Sequence, residues 1–342
     1  MSKTIYYLGA GASYGKRDSS GNLLEGLPVV AEIPSQIDAF RDYIAKARVP
    51  DEGAVFQGLY RTRASDIENA KNYMLQDIDS LKDSIREHAT IDTYAKKLHL
   101  IGDRNSFAKL KDVLCAFFIW EQLEHKPDNR YDTFLANVLE AGTLSLPKEI
   151  SIISWNYDSQ IEMAYQACNK KTVLPVFEKN IQNDWPQLPN TGRIFKVNGS
   201  ATFADKTIIP FILADTETPR AIQLIQFYSS ARADTSQLGF QFNTHLSFAW
   251  EDSKNQKNMS DSIAASVKDT EQVVVIGYSF PFFNRETDRA LFEMMPNLKK
   301  VYVQDINPDA VTQSLSAVLP AGNNLKVISV RDCSQFYLPA EL

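Results

Sequence analysis

The feature that most constrains this chain lies at its start, where the apolar run Ile5-Tyr6-Tyr7-Leu8 passes directly into Gly9-Ala10-Gly11-Ala12-Ser13. A short β-branched and aromatic run without polar alternation predicts a strand covered on both faces, the condition of a parallel sheet in an α/β fold. Alternating small residues let backbone come close to another group, and such strand-to-helix turns are where α/β folds present N–H groups to phosphate. Spacing excludes two familiar versions of the loop. A P-loop needs glycine where Ala10 stands ahead of Gly15-Lys16, and Ser or Thr where Arg17 stands. The dehydrogenase fingerprint needs its third glycine at Tyr14 and an acid closing a second strand. Glu32 has that acid's spacing but sits in Val30-Ala31-Glu32-Ile33-Pro34-Ser35, a loop entering a helix.

The rest of the chain extends the α/β pattern around a helical interruption. Residues 3–8 read as the first strand, 14–30 as a polar glycine-containing loop, and 35–47 as an amphipathic helix beginning at Ser35. Between about 50 and 145 glycine is sparse and charge dense. There Ile67, Ala70, Met74, Ile78, Leu81 and Ile85 form an apolar stripe at helical period, and 106–124 reads as a more fully buried helix. Strands then resume at 149–155, 193–197, 207–213, 273–276, 301–303 and 325–328. Helices are predicted after Trp155 (Tyr157 to Cys168), near 285–294 and near 308–317. The expected fold is α/β: a doubly wound, mainly parallel, Rossmann-like sheet formed by 1–48 and 146–342, with 49–145 as a helical insertion.

Composition narrows the function classes. A net charge of −6 argues against a nucleic-acid surface, and no uncharged apolar run approaches membrane-helix length. Cys115, Cys168 and Cys333 are far apart and form no C-x-x-C pair, which excludes a zinc ribbon and predicts a reducing compartment. The start, Met1-Ser2-Lys3-Thr4, has no signal-peptide pattern, so a cytoplasmic location is expected.

Ligands of doubly wound sheets lie at the carboxyl ends of the strands, and here those ends carry polar motifs. They are Gly9-Ala10-Gly11-Ala12-Ser13, Ser154-Trp155-Asn156-Tyr157-Asp158 with Glu162 behind it, Lys196-Val197-Asn198-Gly199-Ser200, Ile276-Gly277-Tyr278-Ser279-Phe280-Pro281 and Val303-Gln304-Asp305-Ile306-Asn307. Each also has a purely structural reading. Asp158 can cap its helix, Gly277 can make a turn, and Asn307 before Pro308 is a common helix start.

In this order the motifs resemble the sirtuin-like superfamily, specifically its bacterial NAD-hydrolysing branch. Members of that branch carry a Gly-Ala-Gly-x-Ser loop, an Asn-x-Asp strand end, a His-Gly-Ser segment and a Gly-Tyr-Ser loop. The resemblance spans residues 3–15, 150–165, 194–200 and 273–307 and leaves the helical insertion uncovered. It implies that Gly9, Ala10, Gly11, Ala12 and Ser13 hold the diphosphate of NAD. Asn156 would orient the attacking water beside the nicotinamide ribose, with Asp158 as its neighbour. Gly277, Tyr278 and Ser279 would contact the adenosine side, and Asp305 with Asn307 its ribose and base.

Two departures shape the expectation. The four-cysteine zinc module of protein deacylases is missing, so deacylation is rejected and no metal is expected. The family's general-base histidine falls on Asn198, and an amide orients a hydroxyl without taking its proton, a loss of about 10²–10⁴-fold in rate. His88, His99 and His125 read as ordinary residues of the insertion, and His245 is the one remote substitute. The resemblance implies an NAD glycohydrolase that releases nicotinamide and ADP-ribose, acting as a regulated anti-phage effector switched by self-assembly or a defence-system partner. The alternative is a catalytically degenerate domain that senses NAD or ADP-ribose, or scaffolds a complex.

Overall fold

The structure is a computed structural model that describes residues 3–49, 64–88, 90–168, 176–178, 191–203, 219–232, 244–251, 256–320 and 325–341. Its centre is a seven-stranded sheet. The strands are β1 (Thr4–Leu8), β4 (Ile150–Ser154), β5 (Val176–Glu178), β6 (Ile194–Lys196), β7 (Gln272–Ile276), β8 (Lys300–Gln304) and β9 (Lys326–Val330), in the spatial order β5-β6-β4-β1-β7-β8-β9. Every neighbouring pair is parallel, and Thr4 of β1 lies opposite Ile150 on one side and Gln272 on the other. The α/β, Rossmann-like architecture expected from the apolar runs is therefore the architecture found.

Why these runs become central strands is visible in their burial. All five residues of β1, of β4 and of β7 are buried, and successive side chains leave a strand on opposite faces. Ile5, Tyr7, Ile153, Val273 and Val275 enter one core layer with residues of the helices Gln256–Val267, Arg285–Glu293 and Pro308–Ser316. Tyr6, Leu8, Ile152, Val274 and Ile276 enter the other with Tyr131, Phe134 and Leu135 of the helix Asn129–Val138, and with Ile161 and Tyr165 of Gln160–Cys168. Strand order reverses at β1. The helix after β4 covers one face and the helix after β7 the other, so the carboxyl ends of β1 and β7 mark the topological switch point.

The chain divides into two compact units whose limits differ from the expected ones. The sheet unit is Met1–Leu27, His125–Ser200 and Ser247–Leu342; the helical unit is Pro28–Glu124 and Ala201–Leu246. The helix Ile33–Lys46 joins the helical unit because Phe40 packs on Phe117 and Trp120, at ring-centroid distances of 5.8 and 5.3 Å. Asn129–Val138 joins the sheet, where Phe134 meets Tyr6 edge-on at 4.7 Å. The helix Arg220–Arg232 joins the helical unit, where the Tyr228 hydroxyl donates to Asp77 at 2.7 Å. The predicted stripe from Ile67 to Ile85 is buried along its whole length on the helix Ala64–Glu87.

Local differences have local causes. The first helix begins at Ile33 because Pro34 occupies its first turn, where a missing N–H costs nothing; Ser35 bonds back to the Glu32 carbonyl from inside it. The loop expected at 14–30 contains a small antiparallel hairpin, β2 (Lys16–Arg17) with β3 (Leu23–Glu25), too short to show a period. The strand expected at 207–213 lies outside the described residues. Among the described residues no helix is long and apolar enough to cross a membrane.

Candidate functional site

Because the sheet is parallel, the polar motifs after β1, β4, β6, β7 and β8 all leave its carboxyl edge. The first is a single 3-10 turn, Ala10–Ser13, whose backbone is tied to its neighbours. Gly9 N–H donates to the Ile276 carbonyl at 3.0 Å, Gly11 N–H to Gly277 O at 2.9 Å and Ala12 N–H to Gly9 O at 2.8 Å. The glycines permit this contact. A Cβ on Gly11 would stand 2.7 Å from the Gly277 Cα, and one on Gly277 would stand 2.4 Å from the Gly11 backbone; Gly277 also holds a φ of +59°. The close approach foreseen in the sequence is thus made by another stretch of backbone. Ala10 and Gly11 remain half-buried, while Ala12 and Ser13 are buried.

Ser13 is the hub of a buried network. Its hydroxyl lies 3.0 Å from the Tyr131 hydroxyl, accepts from Asn156 Nδ2 at 3.1 Å and bonds to the Asp158 carboxylate. A hydroxyl has one proton and two acceptor positions, so these contacts exhaust it: Ser13 donates to Asp158 and accepts from Asn156 and Tyr131. The second amide proton of Asn156 goes to Gly9 O at 3.0 Å. Asn156, only 7% exposed, thereby fastens the β1 loop to the end of β4, with its Oδ1 as the group left to accept. Asp158 also accepts from Gln160 N–H at 3.0 Å, so it caps the following helix as well as adjoining Asn156.

Behind this network lies a charge cluster that sequence reading did not assign. Lys196 is 1% exposed; its ammonium bonds to Glu162 Oε1 at 3.0 Å and to the Asp158 carbonyl. Burial pushes the Glu162 and Asp158 carboxyls up from their ordinary values, and the Lys196 charge opposes the rise in both. On the other side of the loop, Arg130 donates to the carbonyls of Gly11 at 2.9 Å and Ala12 at 3.3 Å while paired with Asp128. Asp128 accepts from Gly15 N–H at 2.8 Å. Asp128 before Arg130 is a helix-start signal that sequence could have offered; its reach to a loop more than a hundred residues earlier is not.

Asn198 ends β6 in a turn closed by Gly199 N–H on the Lys196 carbonyl, with Gly199 at φ +66°. The Asn198 amide does not fold onto its own backbone. Its Nδ2 donates to the Trp155 carbonyl at 2.8 Å, one residue before Asn156. The Asn198 Oδ1 is buried with no hydrogen-bond partner among the described residues. His245 is buried in the helical unit, where its N–H donates to Thr202 O at 3.1 Å.

The β7 and β8 motifs separate into different roles. Tyr278 is buried: its ring stacks on Trp155 at 5.1 Å and its hydroxyl donates to Asp288 at 3.0 Å. Its side chain therefore belongs to the core, whereas Ser279 is exposed. Asp288, 0% exposed, also accepts from Tyr7 at 2.5 Å, and burial pushes its carboxyl up to about 7 against both hydrogen bonds. Asp305 accepts from Asn307 N–H at 2.8 Å, and Asn307 caps the next helix through Ala310 N–H at 3.4 Å, the helix-start role open to it from sequence. The structure thus joins Gly9, Gly11, Ser13, Asn156, Asp158 and Gly277 directly and ties Asn198 to Trp155. Asp305 and Asn307 follow β8, the strand beyond β7, and their side chains make local bonds. No protein-family model matches the chain, and comparison with curated proteins finds no match.

Proposed function

We propose that this protein is an NAD⁺ glycohydrolase, releasing nicotinamide and ADP-ribose at the carboxyl ends of β1 and β4. The observation that carries the reading is the donor accounting of Asn156. Both its amide protons are spent on Gly9 and Ser13, so its Oδ1 is held in place to accept a hydrogen bond from a water. Departure of nicotinamide leaves positive charge on the ribose, and a fixed carbonyl dipole together with the buried Asp158 and Glu162 carboxylates favours that charge. Water then forms the bond to the anomeric carbon that nicotinamide has left, and its proton passes to solvent water. Asn198 cannot take that proton, so the expected rate lies below that of an enzyme with a base in its place. The diphosphate lies along the half-buried Ala10–Gly11 backbone, and the regulated anti-phage role implied by the motif resemblance belongs to the same proposal.

One observation favours the second reading, a nucleotide-binding sensor or scaffold without turnover. The N–H groups of Gly9, Gly11 and Ala12 are bonded within the protein, and the amide of Asn198 is fixed to Trp155, which is a structural use. Incubating purified protein with NAD⁺ and following free nicotinamide separates the two. Turnover that Asn156→Ala abolishes and Asn198→His accelerates, with a new pH dependence near about 6.5, supports hydrolysis. Turnover absent in the parent and in Asn198→His, with ADP-ribose still raising the melting temperature, replaces it with the binding reading.

A further inference from the structure

Beyond β9, residues 332–337 pack onto the sheet without forming helix or strand, and side chains hold them there. Gln304, the last residue of β8 and 2% exposed, gives its whole amide to this segment. Its Nε2 donates to the carbonyls of Asp332 and Gln335, and its Oε1 accepts from Tyr337 N–H at 3.0 Å. Tyr6 of β1 donates its hydroxyl to the Tyr337 carbonyl at 3.3 Å. Phe336 is buried, edge-on to Tyr131 at 5.1 Å and 5.7 Å from the Phe134 ring.

The residues that receive this segment also hold the β1 loop. Arg130 Nη1 donates to the Cys333 carbonyl at 3.2 Å, and its guanidinium lies 5.2 Å over the Phe336 ring, within cation–π range. Its Nη2 donates to the Gly11 and Ala12 carbonyls. A guanidinium is a rigid fork, so a displacement at Cys333 turns the amine that holds Gly11. Tyr131 repeats the arrangement, with its ring on Phe336 and its hydroxyl 3.0 Å from that of Ser13. Two adjacent residues in the first turn of the helix Asn129–Val138 therefore each touch the segment on one side and the loop on the other.

We propose that residues 332–337 are a strap that sets the conformation of the β1 loop, with Arg130 and Tyr131 as the positioning residues between them; its bearing on turnover rests on the NAD reading above. With the strap docked, Ser13 is held where it donates to Asp158 and accepts from Asn156. With the strap released, Arg130 keeps Asp128 but loses Cys333 and the ring face, and Tyr131 loses its apolar cover. Loop and strap then open together, because the same two side chains close both. Such coupling is reciprocal: loosening the loop loosens the strap by the same coupling free energy.

Amide hydrogen exchange of the intact protein reads both ends, with Gly11 and Ala12 N–H reporting the loop and Tyr337 N–H the strap. Gln304→Leu removes the strap's three amide bonds at nearly constant shape, and Phe336→Ala removes the ring. Each should speed exchange at Tyr337 and, by about tenfold or more, at Gly11 and Ala12. Ser13→Ala, made at the loop, should speed exchange at Tyr337 in return. Ile263→Ala, a truncation in the core layer on the other face of the sheet, gives the effect of lost stability alone. Loop amides at parental rates while Tyr337 exchanges faster, or an equal rise in Ile263→Ala, overturn the strap. So does a Tyr337 N–H that stays protected in Gln304→Leu. Should Phe336→Ala not fold, Gln304→Leu and Ser13→Ala decide the matter. Nicotinamide release that drops in Gln304→Leu supports control of turnover by the strap, and release at the parental rate overturns that control while the coupling stands. A parent that releases none counts against the NAD reading and leaves the exchange result in force.

Discussion

Replacing Asp288 with asparagine should change the pH dependence of stability in a way that can be worked out beforehand. Asp288 is fully buried and accepts one bond from Tyr7 and one from Tyr278, the two contacts that oppose the effect of its burial. Its carboxyl titrates near 7 in the folded protein against 3.8 ordinarily. Below the lower value both states hold the proton, and the residue contributes no pH dependence. Between the two values the unfolded chain has ionised while the fold keeps its proton, so stability falls by about 1.4 kcal/mol per pH unit. Over the interval from 3.8 to about 7 the loss is about 4 kcal/mol, constant above it.

Asparagine does not titrate, so Asp288→Asn loses this slope. It keeps one acceptor oxygen for one tyrosine and leaves the other phenol without its bond, a cost of about 1–3 kcal/mol at all pH values. The variant should therefore be less stable than the parent near pH 4 and more stable near pH 8, crossing between about pH 4.5 and 6. Urea unfolding across that range reads this directly. Trp155 fluorescence is a suitable probe, because its ring stacks on Tyr278. A stability difference between parent and variant that is the same at every pH would show that Asp288 ionises in the fold as it does in the open chain.

Other substitutions test the remaining supports of the site. Gly277→Ala should cost about 2–4 kcal/mol in unfolding free energy, because its Cβ meets Gly11 backbone at 2.4 Å from a φ of +59°. An unchanged melting temperature would refute the backbone-contact account of these glycines. Lys196→Met should cost about 3–5 kcal/mol by leaving Glu162 without its cation, and Lys196→Met with Glu162→Leu should recover much of that. A double variant no more stable than the single one would mean that the pair is not what Lys196 supports. Ser13→Ala removes the hub that Asn156, Tyr131 and Asp158 share, and should lower any nicotinamide release together with stability; release at the parental rate would detach the network from the chemistry.

The strands were legible because β1, β4 and β7 are buried on both faces, and only unbroken apolar runs satisfy that condition. Helix period told that 35–47 is an amphipathic helix, but not which partner its apolar face meets, and none of the predicted helices covers 129–138. Hence the sequence boundaries put Ile33–Lys46 with the sheet and Asn129–Val138 with the insertion, the reverse of their packing. The polar motifs were legible as positions at one sheet edge, since parallel strands force that convergence. Their separate duties were not, because Asn307 as a cap and Asn156 as a clamp are the same residue type after a strand. The Lys196–Glu162 and Tyr7–Asp288 pairs join residues 34 and 281 positions apart, and no local period encodes such contacts.

The two asparagines show how far residue type alone underdetermines chemistry. Asn156 and Asn198 both end strands, both are buried, and both donate Nδ2 to a backbone carbonyl that holds two strand ends together. What separates them is the second half of the amide. Asn156 spends its other proton on Ser13, whose own proton goes to Asp158, so its oxygen belongs to a chain ending in a carboxylate. Asn198 has its oxygen buried with no hydrogen-bond partner among the described residues. A polar chain of the first kind fixes an acceptor where charge can develop, and an oxygen without a partner belongs to no such chain. An Asn156→Asp substitution separates these roles. An anionic side chain there would leave the Gly9 carbonyl without its donor and face Asp158 across Ser13, so loop stability and turnover should fall together, whereas Asn198→Asp should leave the Ser13 network intact and cost stability at the Trp155 carbonyl, which loses its donor. Were Asn198→Asp to abolish the ADP-ribose shift as well, the two amides would have to be treated as one unit.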